Sequence, residues 1–157
     1  MLENGASANS RYSLFMSASF RIAISEEDLT KAMVVRGIVF CGEQGIPYEI
    51  ERDQLESSAV HVLGEIGSEP VAAGRVRFLD GHAKLERIAV RAPYRSQGIG
   101  HELTEFLVFV ARERGYTTCL MNAQAHLESL YVELGFKAIG KKFLEADIEH
   151  VLMTRED

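Results

Sequence analysis

The most informative stretch of this chain for its fold is Lys84-Leu-Glu-Arg-Ile-Ala-Val-Arg-Ala-Pro-Tyr-Arg-Ser-Gln-Gly-Ile-Gly100. Its first part, 85–90, is mostly apolar and predicts a strand, and Pro93 then turns the chain into a loop. A helix is predicted to begin at the glycines at 98 and 100, since apolar residues recur at helical spacing from there through position 111. A strand, a glycine-bearing loop and a helix N-terminus leave backbone N–H groups free to bind an anion. The stretch therefore predicts a phosphate-binding loop from Arg95 to Gly100.

Two known nucleotide-binding motifs do not fit this loop. A dinucleotide fingerprint needs a third glycine three residues after Gly100, where the chain has Leu103. A Walker loop ends in Gly-Lys-Ser or Gly-Lys-Thr, whereas here Gly100 is followed by His101 and Glu102. The loop is thus an anion cradle of another kind, with Arg95 as a fixed positive charge beside it.

Length and composition are those of one soluble globular domain. The chain has 157 residues, of which 46% are hydrophobic and 25% charged. Its formal net charge of -6 argues against a nucleic-acid partner and against binding to anionic membranes. Cys41 and Cys119 have neither a disulfide framework nor metal-ligand spacing, so we predict no metal site. We expect a cytoplasmic protein with reduced thiols, since no apolar run approaches the ~20 residues of a membrane span.

The rest of the chain predicts strands and helices in the order β-α-(α)-β-β-β-α-β-α-β-β. The predicted strands are 20–24, 60–66, 71–79, 85–90, 117–123, 137–143 and 150–154. Ser25 is the predicted N-cap of the first helix, and Asp80-Gly81 predicts a hairpin turn. This order predicts an α/β (α+β) fold in which helices flank a mixed central β-sheet. We expect one domain, 19–157, after a flexible N-terminal leader at 1–18.

The phosphate loop also resembles the signature of a known family. Arg95-Ser96-Gln97-Gly98-Ile99-Gly100 matches the Q/R-x-x-G-x-G/A motif of the GNAT N-acetyltransferases. The stretch Leu-Tyr-Val-Glu-Leu-Gly-Phe at 130–136 is similar to the family's tyrosine-bearing fourth helix, and the likeness extends over nearly the whole chain after residue 19. The segments 35–40, 43–47 and 122–124 resemble the ElaA-like bacterial subgroup.

The resemblance implies an acetyl-CoA-dependent N-acetyltransferase on the GNAT-like acyl-CoA N-acyltransferase fold. Acetyl-CoA is the implied co-substrate, with its pyrophosphate held by backbone N–H groups of the loop. The implied positions are Arg95, Ser96, Gln97, Gly98, Ile99 and Gly100. The resemblance also implies that Ile88, Ala89 and Val90 pair with the pantetheine arm, whose amides can satisfy strand donors and acceptors. In the family a bulge separates this strand from the next, but the residues themselves give no sign of one.

Transfer of an acetyl group to an amine needs a base, a group that stabilises the carbonyl oxygen and an acid for the leaving thiolate. Glu86 is the candidate base, because partial burial within an apolar strand would raise its pKa. A structural ion pair explains Glu86 equally well, with Arg87 or with Arg75 or Arg77 on the adjacent strand. The family often has a glutamate here that acts through water, which favours the base. A backbone N–H at Ile88 or nearby would polarise the carbonyl.

Tyr131 is the candidate acid. It lies on the apolar stripe of the last predicted helix, 125–134, and could be a core residue alone, but it matches the family's thiolate-protonating tyrosine. Asn122 has two interpretations, because its amide could bond the pantetheine or cap that last helix.

The acceptor side has weaker signals. We assign Glu43, His126 and His150 to the acceptor pocket. Glu43 belongs to an acidic group with positions 49, 51 and 53, which is either a solvated face or a site for a cationic substrate.

The leading hypothesis is an N-acetyltransferase that acts by direct attack in a ternary complex. Its expected partner is a small-molecule or peptide amine, and an exposed edge strand could also pair two copies in a homodimer. The alternative is a non-catalytic acyl-CoA-binding or sensor module on the same fold. A nucleotide-binding protein is disfavoured by the missing motif elements.

Overall fold

The computed structural model describes residues 17–157, so the predicted leader at 1–18 falls outside the described residues apart from its last two positions. The strands are β1 (Ser19–Ile22), β2 (Val60–Ile66), β3 (Glu69–Leu79), β4 (His82–Val90), β5 (Thr118–Gln124), β6 (Lys137–Glu145) and β7 (Ile148–Glu156). The α-helices are α1 (Glu26–Arg36), α2 (Tyr48–Glu51), α3 (Ile99–Glu113) and α4 (Glu128–Glu133). None of the helices in this part of the chain has the length and apolar composition needed to cross a bilayer.

The seven strands of residues 17–157 form one sheet in the order β1-β2-β3-β4-β5-β7-β6. Neighbours are antiparallel except for β4 and β5, which are parallel and are connected through α3. The predicted fold class, a mixed central sheet with flanking helices, is therefore confirmed. Most strands extend beyond their predicted ends, as where β7 begins at Ile148 and not at His150. The predicted last helix is shorter, because its first turn, Ala125–Leu127, is a 3-10 turn.

Different helices cover the two faces of the sheet. On one face, α1 and the chain that follows it pack in a cluster that includes Val35, Phe40 and Ala89. On the other face, α3 contributes Leu103 and Leu107 to the larger core cluster. Burying side chains of this kind stabilises the fold by ~1.5–3 kcal/mol each relative to exposure. The predicted amphipathic helix is confirmed, since the apolar stripe of α3 faces the sheet.

Helix α1 begins at its predicted cap and ends in an unusual way. The Ser25 hydroxyl accepts a hydrogen bond from the Asp28 N–H at 3.1 Å, and acids fill the first turn. After Arg36 the chain continues as a π-helical turn, Gly37–Glu43, in which the Gln44 N–H donates to the carbonyl of Val39. π-helical turns are rare in proteins, and those that occur are often found at functional sites.

Strand β4 contains a bulge. Leu85 lies opposite Val76 of β3, but the register shifts by one residue before Ala89, which lies opposite Ala73. Within the shift, Arg87 has a φ of 54°, a left-handed conformation that is uncommon for a residue with a side chain. Leu85 therefore packs on the α3 face and Ala89 on the α1 face, although residues four apart in a regular strand share a face.

Just before the bulge, β4 and β5 separate. Their pairing is confined to two positions, where Ala83 lies opposite Cys119 and Lys84 opposite Leu120. From Leu85 onward, the edge of β4 that faces β5 has no strand partner within residues 17–157. The two central strands of the sheet thus leave a gap between them.

The other end of the sheet presents a free edge. Strand β6 is exposed along its whole length and includes the exposed apolar residues Ile139, Phe143 and Leu144. This edge is compatible with the homodimer predicted from the sequence, and the homodimer stays a prediction.

Candidate active site

A cleft of about 1030 Å³ fills the gap between β4 and β5 and reaches both faces of the sheet. Ile99 and Tyr131 line it on the α3 face, and Phe40 and Gln44 line it on the α1 face. The predicted site residues that line it are Glu43, Glu86, Ile88, Ala89, Val90, Arg95, Ser96, Gly98, Ile99, Gly100, Asn122, His126, Tyr131 and His150. Gln97 alone does not, because its side chain turns to the Pro93 carbonyl at 3.5 Å.

The loop before α3 has the geometry of an anion cradle. Gly98 has a φ of 83° and ψ of 1°, a left-handed conformation that glycine adopts without strain. The first bond of α3 runs from the Glu102 N–H to the Gly98 carbonyl at 3.1 Å. Within residues 17–157, the N–H groups from Ser96 to His101 donate to no backbone carbonyl. Together with the helix dipole, these free donors form a site for a phosphate.

Arg95 and Glu43 are brought together by the fold. The Arg95 guanidinium pairs with both oxygens of Glu43, at 3.0 Å from Nη2 to Oε1 and 2.9 Å from Nη1 to Oε2. Its Nε also donates to the carbonyl of Val90 at 2.8 Å. Arg95 therefore anchors the loop to β4 and to the turn after α1, and the Glu43 carboxylate is held by this pair.

Tyr131 projects from α4 into the cleft and is only 4% exposed. Its ring packs edge-on against Phe136, with ring centroids 6.1 Å apart. Burial raises the pKa of the phenol, and no hydrogen bond within the described part of the chain contributes to the shift. The hydroxyl is therefore protonated at neutral pH and free to donate to a ligand in the cleft.

The expected rise in the pKa of Glu86 is wrong. Burial does raise this pKa, but the hydrogen bonds from Arg77 and the charge of Arg75 outweigh burial, and the pKa of Glu86 is lowered. The carboxylate accepts from Arg75 Nη2 at 2.5 Å and from Arg77 Nη2 at 2.8 Å. The ion pair with the adjacent strand, which was the alternative to a base, is thus present, and Glu86 is ionised at neutral pH.

Glu86 belongs to a larger buried network of charges. Arg36, at the end of α1, donates to Glu51 Oε1 at 2.6 Å and to Glu56 Oε1 at 2.7 Å. Arg75 donates to Glu56 and also to Asp53. One signal of this network is visible in the sequence, namely a charged residue at Arg36 on the apolar stripe of its helix. The acidic group predicted as a solvated face or a cationic site divides in two. Glu51 and Asp53 are held by arginines of this network, whereas Glu43 and Glu49 are exposed.

Removing Arg36 should destabilise the protein strongly. Arg36→Met leaves Glu51 and Glu56 without their main partner inside the protein, so we expect the free energy of unfolding to fall by about 3–5 kcal/mol. Urea unfolding measures the change. Lys142→Gln, which breaks an exposed pair with Glu149, is the matched control and should stay within about 0.5 kcal/mol. Equal and small losses in both variants would contradict a structural role for the network.

The same network predicts acid sensitivity. Hydrogen bonds from Arg75 lower the pKa of Asp53, and Glu86 also titrates below its ordinary value of 4.5. A carboxylate whose pKa is lowered by folding stabilises the protein above its unfolded pKa, and that stability is lost as the pH falls toward the folded pKa. Urea unfolding should therefore give a constant free energy from about pH 7 to 5 and a steep fall below about 4.5. Glu86→Gln should show a shallower fall, and a stability that rises on acidification would contradict the assignment.

Asn122 lies within β5, opposite Leu152 of β7. The cap interpretation is wrong, because the residue before the 3-10 turn is Gln124 and the residue before α4 is Leu127. Asn122 lines the cleft, and its side-chain amide makes no hydrogen bond to residues 17–157. Contact between Asn122 and the pantetheine stays a prediction.

His126 and His150 also line the cleft. The His150 ring stacks on Phe143 with centroids 6.0 Å apart, and its Nδ1 lies 2.7 Å from the Ile148 carbonyl. Its Nε2 is 3.7 Å from Glu145, in the hairpin that joins β6 to β7. The predicted role of both histidines toward the acceptor is untested.

A pair of amides that sequence reasoning missed crosses the cleft. Gln44 and Gln124 exchange two hydrogen bonds between their side chains, of 3.0 and 2.8 Å. They join the end of the π-helical turn to the end of β5. Both residues lie in segments that resemble the ElaA-like subgroup, but the sequence gives no sign that they pair, since the two are eighty positions apart.

The fold and the cleft define a class of protein. The crystal structure of Escherichia coli ElaA superposes with a TM-score of 0.77 at 27% identity and covers 89% of this chain and 99% of that one. A GNAT family acetyltransferase from Elizabethkingia anophelis with acetyl-CoA bound superposes with a TM-score of 0.68 at 17% identity and covers 88% of this chain and 97% of that one, which shows the fold alone. The architecture is that of the GNAT acyl-CoA N-acyltransferases.

Sequence comparison gives the family. The family model of the acetyltransferase (GNAT) domain matches residues 29–156, and the chain belongs to this family. The chain is similar to the uncharacterized N-acetyltransferase YjcF of Bacillus subtilis, with 39% identity over 136 residues, 86% of this chain and 97% of YjcF. It is also similar to ElaA of Escherichia coli, with 29% identity over 138 residues, 85% of this chain and 90% of ElaA. The resemblance stated from the sequence is confirmed.

Proposed function

We propose that this protein is an acetyl-CoA-dependent N-acetyltransferase that moves an acetyl group to a primary amine by direct attack in a ternary complex. The observation that carries the proposal is the separation of β4 from β5 beside a loop of free N–H groups. One cleft thereby offers a cradle for the pyrophosphate and a strand edge for the pantetheine amides. The structurally similar acetyltransferase from Elizabethkingia anophelis has acetyl-CoA bound, which supports the choice of co-substrate.

The backbone of β4 supplies the expected contacts to the thioester. The Arg91 N–H donates to the Val71 carbonyl on β3 at 2.9 Å. Because successive residues of a strand point to opposite neighbours, the N–H groups of Val90 and Ile88 are directed to the cleft. We assign the Ile88 N–H to the carbonyl oxygen, where a fixed donor stabilises the negative charge of the tetrahedral intermediate.

Tyr131 is assigned as the acid. The amine nitrogen attacks the thioester carbon and forms the C–N bond, and the C–S bond breaks as the sulfur takes the proton of the Tyr131 hydroxyl. One proton of the amine, passed through water, restores the hydroxyl. The raised pKa of Tyr131 supports this role, because the phenol is fully protonated when the thiolate leaves.

Glu86 is assigned as an anchor and not as the base. An effective base has a pKa near the working pH, whereas the pKa of Glu86 is lowered and its oxygens already accept from Arg75 and Arg77. In the proposed role Glu86 fixes the positions of these arginines at the wall of the cleft.

A thiol-release assay tests the proposal. Purified protein with acetyl-CoA should release free CoA only when a suitable amine is added, and mass spectrometry should find the acetylated amine. The amine panel should include amino acids, polyamines, aminoglycosides and peptides. Tight binding of acetyl-CoA with no thiol release against the whole panel would favour the non-catalytic module, which shares the cradle but needs no acid in the cleft.

A further inference from the structure

Two cations face each other on the α1 side of the cleft. Arg77 of β3 lies directly opposite Lys84 of β4, and both line the cleft. Their side chains are 16% and 26% exposed, so solvent screens them only in part. Like charges placed directly opposite each other in a sheet are destabilising. An anion placed between Arg77 and Lys84 reduces the repulsion between their charges.

One carboxylate serves both cations. Glu86 accepts from Arg77 Nη2 at 2.8 Å and lies 3.5 Å from the Lys84 ammonium. The same carboxylate also accepts from Arg75 Nη2 at 2.5 Å. Three cations thus share Glu86, and within residues 17–157 Lys84 has no other ion-pair partner.

The imbalance extends through the whole network. Ion pairs link five cations with four carboxylates: Arg36, Arg75, Arg77, Lys84 and Arg87 with Glu51, Asp53, Glu56 and Glu86. Arg36, Arg75 and Arg87 each contact two or more of the carboxylates, whereas Arg77 and Lys84 have only Glu86 as an ion-pair partner within the described residues. The unmatched charge therefore lies at Arg77 and Lys84. In a chain with net charge -6, a positive site inside a cleft attracts an anion selectively.

From this geometry we infer that the acceptor is an amine that also carries an anionic group, a carboxylate or a phosphate, bound by Arg77 and Lys84. The inference rests on the proposed function and names the acceptor class. Two of the three guanidinium nitrogens of Arg77, Nε and Nη2, donate to Glu86, and its Nη1 is available to the ligand. Arginine and lysine donors form strong charge-assisted hydrogen bonds with either anion.

The position of the pair sets the shape of the acceptor. Lys84 precedes Ile88, the assigned site of the carbonyl, by four residues. The bulge between them shortens the span to that of about three regular strand residues, ~10 Å. The long side chains of Arg77 and Lys84 shorten this span. The amine and the anion of the acceptor are therefore separated by several bonds, as in an ω-amino acid and not as in glycine.

Ligand binding tests the inference without turnover. We expect ε-acetamidohexanoate, the product of an anionic acceptor, to bind at least about 10-fold more tightly than N-hexylacetamide in NMR titrations of the protein. Lys84→Gln should abolish this difference, and Lys142→Gln, which alters an exposed lysine of β6, should retain it. Equal affinity for the two amides in the unaltered protein would overturn the inference.

A second test compares the kcat/KM values of different amine acceptors. The kcat/KM for ε-aminohexanoate or aminohexyl phosphate should exceed that for hexylamine and hexamethylenediamine by about 10-fold or more. The carboxylate and the phosphate compounds, compared with each other, identify the preferred anion. Lys84→Glu should reverse the order and favour the diamine. If the unaltered protein turns over the diamine faster, the inference is overturned and the proposed function is not. If no amine in the panel causes thiol release, the proposed function itself is overturned.

Discussion

Replacing Tyr131 by phenylalanine is expected to lower kcat by about 100-fold or more, because a general acid contributes roughly that factor to a proton transfer. The ring of phenylalanine keeps the edge-on contact with Phe136, so the fold and the cleft should be preserved. The dissociation constant of acetyl-CoA should change by less than about 3-fold, since the hydroxyl acts when the thiolate leaves. Steady-state thiol release and calorimetric titration measure the two quantities.

The matched control is Tyr116→Phe. The Tyr116 ring packs on Phe78, with centroids 5.0 Å apart, and the residue does not line the cleft. Its loss of a hydroxyl should leave kcat unchanged. If Tyr131→Phe retains the full kcat with the true acceptor, then Tyr131 is a core residue and the acid is another group.

Placing a carboxylate in the loop is expected to weaken acetyl-CoA binding by about 10- to 100-fold. Gly98→Asp puts a negative charge next to the free N–H groups of Ser96 to His101, where it repels the pyrophosphate and competes for the donors. A Cβ at position 98 meets no atom of residues 17–157 within 4 Å, so steric overlap with this part of the protein does not explain a loss. Calorimetric titration with acetyl-CoA measures the dissociation constant.

Gly115→Asp is the control for backbone strain. Gly98 and Gly115 have φ angles of 83° and 84°, and a Cβ added at either position meets no atom of the described residues within 4 Å. The two substitutions therefore impose a similar strain in φ. Gly115→Asp, at the far end of α3, should lose similar stability but retain acetyl-CoA affinity. Equal affinities in the two variants would mean that the pyrophosphate binds elsewhere.

Much of the fold could be predicted because local patterns determine it. The apolar stripe of α3, the cap at Ser25 and the alternation of the strands are each encoded within a few residues. The phosphate loop could be predicted for the same reason, since its glycines and the helix that follows are contiguous in sequence.

The bulge in β4 was implied by the family resemblance but could not be predicted from the residues themselves, because no local preference requires it. Arg87 is not a residue that favours a left-handed conformation, and its side chain is held by contacts to the carbonyl of Glu51 and to Asp53, more than thirty positions away. Tertiary contacts thus fix the conformation that opens the cleft.

Glu86 illustrates the same limit in the site. The strand pattern correctly located an acid in a half-buried strand, but burial alone predicts a raised pKa. The opposite sign follows from Arg75 and Arg77, whose direction toward Glu86 depends on the register between β3 and β4. The π-helical turn places Glu43 beside Arg95, and this contact joins residues that are distant in sequence. The acceptor side was therefore the least predictable part of the cleft.

A crystal structure with acetyl-CoA would show whether the gap between β4 and β5 is the site of acyl transfer. We predict the pyrophosphate on the N–H groups of Ser96 to His101, the thioester oxygen about 2.7–3.1 Å from a β4 backbone N–H at or beside Ile88, and the sulfur within hydrogen-bonding reach of Tyr131. Acetyl-CoA bound outside this gap, or bound within it with its sulfur remote from Tyr131, would contradict the claim.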